Sequence, residues 1–119
     1  MRKAQGLYII SVASQILEMH PQTLRKYERA GFVEPPRMGG RSRLYSEEDI
    51  TRLRLIKHLV DELGLNLSGV ELALDLTAKL LQLRSKLEPA NGRRLDAADL
   101  IADVDDMLLK LGFKVESRG

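Results

Sequence analysis

At 119 residues the chain has room for one domain and a helical appendage, which excludes a large multidomain enzyme. A composition of 44% hydrophobic and 30% charged residues is that of a chain that folds in water. The absence of cysteine excludes disulfide frameworks, zinc–thiolate sites, iron–sulfur clusters and thiol-based sensing, and two histidines cannot replace them.

The net charge of +2 conceals an asymmetry. Residues 1–60 hold 11 Lys+Arg against 6 Asp+Glu, or +5, whereas residues 61–119 hold 8 against 11, or −3. A basic front half suits a polyanion partner. Apolar runs are short and interrupted by charge, far below the ~20 residues a membrane helix needs. Arg2 and Lys3 precede the apolar run Leu7 to Ile10 in the manner of an export signal, but Ser11 ends that run short of the ~7 to 15 residues required. The expectation is a soluble, cytoplasmic protein with no membrane partner.

In chain order, Ser11 to Glu18 reads as a short helix with Val12, Ala13, Ile16 and Leu17 toward a core. Met19 and His20 form a turn, and Pro21 then suits the first turn of a second helix, with His20 at or beside its N-cap. This helix, Pro21 to Ala30, ends at Gly31, and two short helices so tightly joined make a helix-turn-helix. Pro35-Pro36 stops any helix, and Gly39-Gly40 turns a small β-hairpin, or wing, whose loop carries Arg37, Arg41 and Arg43 with no acid between Pro35 and Ser46. Ser46 caps a third helix whose first turn holds Glu47, Glu48 and Asp49, and Gly64 closes it. Its apolar positions are Ile50, Leu53, Ile56, Leu59/Val60 and Leu63.

Asn66-Leu67-Ser68 caps a fourth helix that runs from Gly69 to about Glu88. Within it Leu76, Leu80, Leu83 and Leu87 are spaced 4, 3, 4, the seam of a helix that packs on another helix. A monomeric core can use such a stripe, but the chain before it is already a complete small domain, so a dimer seam is the preferred reading. Pro89 and Asn91-Gly92 break the helix. A last helix, Asp96 to Leu111, is capped by Asp96, carries the stripe Leu100, Val104, Met107 and Leu111, and needs a partner surface within the dimer or outside it.

For catalysis the sequence offers little: no phosphate-cradling glycine loop, metal-ligand cluster or nucleophile–base pair is visible, and no enzyme, cofactor or metal site is expected. Adjacent Glu47, Glu48 and Asp49 point in different directions on a helix, which fits capping better than ligation. His58 reads as a surface or boundary residue. The second helix is different. At ~100° per residue, Leu24, Tyr27 and Gly31 gather on one side, while Gln22, Arg25, Lys26 and Arg29 fan across the other. A helix of that diameter fits the major groove, where Arg or Lys can bridge guanine O6 and N7 and Gln can pair with adenine.

Three segments, Ile10-Ser11-Val12-Ala13, Gln22-Thr23-Leu24-Arg25-Lys26-Tyr27-Glu28-Arg29-Ala30-Gly31-Phe32-Val33 and Arg43-Leu44-Tyr45-Ser46-Glu47-Glu48-Asp49-Ile50, resemble the winged helix-turn-helix of MerR-family transcription regulators. The resemblance covers about residues 8–77 and implies a mainly α fold: a winged helix-turn-helix DNA-binding domain over 8–77 with a small β-hairpin wing, then a helical dimerisation and C-terminal segment over 78–119. It implies base and phosphate contacts from Gln22, Thr23, Arg25, Lys26 and Tyr27 and wing contacts from Arg41, Arg43 and Tyr45. Arg37 belongs to the same basic wing. His20 is open to capping, to phosphate contact or to both, and Tyr27 to a core role with only its hydroxyl reaching phosphate.

Met19 to Arg25 and Asn66 to Val70 most resemble the family's heat-shock repressors. That likeness implies a homodimer, joined by the Leu76, Leu80, Leu83 and Leu87 seam, on inverted-repeat double-stranded DNA upstream of chaperone genes, with the chaperone DnaK as co-repressor. The Asp96 to Val115 segment is a candidate DnaK contact, and covering the dimer coil is its plainer role. Family coils often feed an effector site with metal-binding cysteines or a larger ligand domain; this chain has neither. The alternative is an interaction module of the same fold that binds a co-chaperone rather than DNA.

Overall fold

A computed structural model of the chain describes residues 6–35, 37–38, 42–88 and 96–116; of residues 37–38 and 42–43 only the backbone is described. The elements in order are β1 (Leu7–Ile9), α1 (Ile10–Leu17), α2 (Pro21–Arg29), β2 (Arg37–Met38), β3 (Ser42–Ser46), α3 (Glu47–Asp61), α4 (Leu67–Leu87) and α5 (Ala97–Lys110). They form two compact units, Met1–Leu67 and Ser68–Gly119. The architecture is mainly helical with a small antiparallel hairpin, as the sequence leads one to expect.

In the first unit the hairpin pairs Arg37 with Arg43 and Met38 with Ser42. The expected turn at Gly39-Gly40 lies outside the described residues, as do Pro36, Arg41, Pro89 and Asn91-Gly92. The sheet has a third strand that the sequence did not disclose. Leu7–Ile9, read above as an apolar run, is β1 and pairs antiparallel with β3 (Leu7 with Ser46, Tyr8 with Tyr45, Ile9 with Leu44), giving the order β1-β3-β2. Three residues are too few to show a period of two, and the partner strand is distant in sequence.

α1 begins at Ile10 and stops at Leu17, because Glu18 adopts a left-handed conformation (φ 53°, ψ 47°) instead of extending the helix. Its buried residues are Ala13, Ser14 and Leu17. Val12 and Ile16, expected in the core, are exposed, and Ser14 takes the inward position because its hydroxyl donates to the Ser11 carbonyl at 2.9 Å. α3 opens with a reciprocal capping box: Ser46 Oγ accepts from the Asp49 amide at 3.1 Å, and Asp49 Oδ2 accepts from the Ser46 amide at 3.0 Å. Ile50, Leu53, Ile56 and Leu59 form its buried face. Leu63 lies beyond the end of the helix and is exposed; Gly64 turns there at φ 69°, letting the Leu65 amide close back on the Leu59 carbonyl at 3.0 Å. Together with Leu24, Tyr27, Phe32, Val33 and Tyr45 these side chains make the core that fixes α2.

In the second unit α4 starts at Leu67, two residues ahead of the expected Gly69, and α5 is capped by Asp96, whose carboxylate accepts from the Ala98 amide at 3.0 Å. The two helices run antiparallel, linked by Lys79–Asp106 at 3.1 Å, Lys86–Asp103 at 2.7 Å and a looser Lys110–Asp75 at 3.8 Å. α5 ends with Gly112 at φ 94° and the Phe113 amide donating to the Leu108 carbonyl at 2.8 Å. Val70 and Leu74 are buried on α4, whereas α5 has no buried residue. Among the described residues no helix is long and apolar enough to cross a membrane.

Candidate nucleic-acid interface

α2 is set by its first residues. His20 stands in extended conformation as N-cap, and its Nδ1 accepts from the Gln22 amide at 3.1 Å, filling one of the helix's open donors; Pro21 follows with no amide hydrogen to satisfy. Behind the helix Leu24 is fully buried and Tyr27 nearly so, its ring centroid 6.2 Å from that of Phe32. Leu24 and Tyr27 are three apart, which fixes the phase of the helix and carries Gln22, Lys26 and Arg29 to the exposed side. Thr23 and Arg25 are half-buried at its margins. The expected polar face is thus assembled on one element, with Lys26 and Arg29 also compensating the negative end of the helix dipole.

Tyr45 occupies a different place from the wing contact that the resemblance implied, whereas Tyr27 takes the core position that was one of its two open readings. Tyr45 has 0% of its surface exposed, and its hydroxyl faces Glu28 Oε1 at 3.5 Å. Its ring is a core element of β3 whose hydroxyl reaches Glu28 on α2, so it supports the recognition helix and is not a surface contact of the wing. Tyr27 is likewise a core residue. Burial, then the nearby Asp61 carboxylate, raises its hydroxyl's pKa above the ordinary 10.0, and the same negative charge repels a phosphate at that hydroxyl.

Arg37 and Arg43 stand opposite one another in the β2–β3 ladder, which places two basic positions side by side on the hairpin; their side chains and Arg41 lie outside the described part. Between the helix-turn-helix turn and α3 lies a hollow of about 210 Å³ lined by Glu18, Met19, His20, Thr23, Tyr27, Lys57 and Asp61. Two carboxylates against one lysine make it a poor anion site. Leu76 and Leu83 on α4 are half-buried, while Leu80 and Leu87 are exposed.

Sequence reasoning missed the groups that hold this geometry. Lys57 and Arg52, both on α3, donate to backbone carbonyls on either side of α2: Lys57 Nζ to Leu17 at 2.9 Å, and Arg52 Nε to Phe32. No local pattern marks such residues, since in the sequence they look like the solvated charges of an amphipathic helix.

Residues 8–77, more than half of the chain, match the MerR HTH family of regulatory proteins. The chain is 39% identical over 99 residues to a protein described as heat shock protein HspR from Streptomyces coelicolor, an alignment that covers 83% of this chain and 59% of that one. It is 33% identical over 70 residues to the HTH-type transcriptional regulator GlnR of Bacillus anthracis, covering 59% of this chain and 54% of the relative. An HTH-type transcriptional regulator of Synechocystis matches at 30% over 109 residues, 78% of this chain and 79% of the other. The chain therefore spans little more than half the length of HspR and GlnR. It belongs to the MerR family of helix-turn-helix regulatory proteins and is similar to HspR over most of its length.

Proposed function

We propose that this protein is a sequence-specific DNA-binding repressor of heat-shock genes that acts as a homodimer on inverted-repeat operators. The observation that carries the reading is the orientation of α2: Leu24 and Tyr27 lock one side into the core, and Gln22, Lys26 and Arg29 are left outward behind a His20-capped N-terminus. Inserted in a major groove, that side offers base-reading donors from Gln22 and Arg25 and phosphate contacts from Thr23, Lys26 and the helix N-terminus. The Arg37, Arg41 and Arg43 wing adds affinity along the neighbouring backbone rather than sequence reading. A twofold dimer places two recognition helices on successive half-sites of one duplex face, which calls for a near-palindromic site. The leucines of α4 supply the dimer seam in this reading.

The heat-shock assignment is supported by the likeness to HspR, which extends beyond the residues 8–77 shared with the family at large. The DnaK co-repressor belongs to that assignment and is tested by co-purification with the repressor–DNA complex.

The deciding experiment is selection of bound fragments from genomic DNA, preceded by gel shifts with random duplex at low and moderate salt. Retardation that weakens with salt, and recovery of fragments upstream of chaperone genes, are the expected results. Fragments from unrelated promoters would remove the heat-shock assignment but leave the DNA-binding one. No retardation at either salt would instead favour the co-chaperone-binding module.

A further inference from the structure

Arg29 is the one cation of α2 with no contact assigned on DNA, yet it stands nearest the middle of the outward side. At ~100° per residue, the side opposite buried Leu24 and Tyr27 is centred on a line through Gln22 and Arg29, each about 10° from it, with Arg25 and Lys26 about 50° to either side. Arg29 is exposed and makes no hydrogen bond or ion pair with any described residue. The cations of α3 that brace the motif are engaged, by contrast: Arg52 with the Phe32 carbonyl and Lys57 with that of Leu17. The one acid of α2, Glu28, lies about 110° round the helix from that line and faces the Tyr45 hydroxyl at 3.5 Å.

We propose that Arg29 is a further DNA contact, a phosphate anchor at the far end of the recognition helix. The inference rests on the DNA-binding reading above and concerns affinity, not the choice of base. A recognition helix meets base edges with its N-terminal residues. Gln22 and Arg29 are about 10.5 Å apart along the axis, close to the ~12 Å width of the major groove. A helix that enters the groove N-terminus first, with Gln22 at the base edges, carries Arg29 out to the groove wall. The groups that wall presents are phosphate oxygens.

The far end of α2 suits an anion only because of its cations. The last carbonyls of the helix form its negative pole and by themselves repel a phosphate; Lys26 and Arg29 in the last turn reverse that sign. Lys26 lies almost a full turn earlier, so Arg29 is the cation nearest the pole. Its planar guanidinium offers two parallel N–H donors to a phosphate, a geometry that an ammonium lacks. Ala30 and Gly31, which follow, have no side chain long enough to cover it.

Binding isotherms of the full chain on a random-sequence duplex and on a duplex recovered by the genomic selection, over a fourfold range of salt, test this, with a urea midpoint for every variant. The variants are Arg29→Gln, Arg29→Lys and, as a control for loss of a charge elsewhere in the same unit, Arg54→Gln, an exposed cation in the groove between α1 and α3. Expected for Arg29→Gln is a slope of log K against log salt flatter by ~0.9 on both duplexes. Over the fourfold range the unmodified chain then loses about 3.5-fold more affinity than the variant does, and the preference for the recovered duplex is unchanged. Arg29→Lys keeps the slope, and Arg54→Gln matches the unmodified chain. An unchanged slope for Arg29→Gln overturns the proposal, whether or not the urea midpoint falls, and leaves Arg29 to the helix dipole alone. A narrowed preference between the two duplexes overturns it by making Arg29 a base reader, and equal flattening by Arg54→Gln does so by making the effect one of net charge. In each of these cases the DNA-binding reading stands; an unmodified chain that binds neither duplex overturns both.

Discussion

Lys57 Nζ lies 2.9 Å from the carbonyl oxygen of Leu17 and 3.4 Å from that of Glu18, so a cation on α3 closes the C-terminal end of α1. Glu18 there is the one described non-glycine residue with positive φ, and its amide and that of Met19 return to the carbonyls of Gln15 and Ser14. The remaining carbonyls of the last turn carry the negative end of the helix dipole, which an ammonium stabilises. The turn that leads into α2 is thereby tied to the third helix.

Replacing Lys57 by methionine keeps most of the aliphatic stem and removes the donor. The expected loss is about 1 kcal/mol, the range of a charged hydrogen bond reduced for partial exposure. It appears as a lower denaturation midpoint at unchanged m-value. Lys57→Arg, which retains a cationic donor, recovers much of the loss; equal midpoints for Lys57→Met and the unmodified chain would show that the contact adds nothing to stability.

His20 offers a second measurement. With Nδ1 accepting from the Gln22 amide, His20→Ala removes a cap and is expected to cost about 1 kcal/mol, whereas His20→Ser supplies another acceptor and recovers most of it. The pair also separates capping from phosphate contact. If both variants lose affinity for duplex DNA by the same factor, the imidazole contacts phosphate; if only the alanine variant loses affinity, its role is to hold the helix.

Most of this fold was legible because its signals are local. His20-Pro21, Ser46 with Asp49, Asp96 and the glycines at 31, 64 and 112 mark helix ends through the chemistry of neighbouring residues, and the structure places helix boundaries within two residues of the expected ones. What escaped was long-range. β1 exists because it can pair with β3, and Tyr45 is buried because β3 lies against β1, α1 and α3; neither fact is written in the residues themselves. The polar side of α2 followed from the spacing of Leu24 and Tyr27, but α1 exposed Val12 and Ile16 because its inward phase includes Ser14, which a hydrophobic pattern counts as outward.

The raised pKa of Tyr27 carries a pH signature. Its phenol is held neutral first by burial and then by the charge of Asp61. A folded-state pKa above the unfolded 10.0 means that the stabilisation is fully present below pH 10 and is lost as pH rises through the folded value. Tyr27→Phe removes the ionising group while keeping the ring against Phe32. The variant is expected to lie within about 1.5 kcal/mol of the unmodified chain at pH 7 and to lose less stability between pH 9 and pH 11, as judged by urea midpoints. Parallel pH profiles for the two proteins would show that Tyr27 ionisation does not govern the alkaline limit.

The division between reading and holding DNA can be tested on two arginines. Arg25 projects from the margin of α2, where a bidentate contact to guanine discriminates bases by about 1 to 3 kcal/mol, whereas Arg43 belongs to the basic hairpin beside it. Arg43→Ala is expected to weaken binding to operator and random duplex alike and to flatten the slope of log K against log salt by ~0.9 for one lost phosphate contact. Arg25→Ala should in addition narrow the gap between operator and random sequence, because a base contact contributes only where its base is present. Titrating both variants at three salt concentrations on both duplexes separates the two effects. If Arg25→Ala lowered affinity by the same factor on every sequence, α2 would be contacting backbone alone, and the sequence specificity would have to come from duplex shape or from a different element.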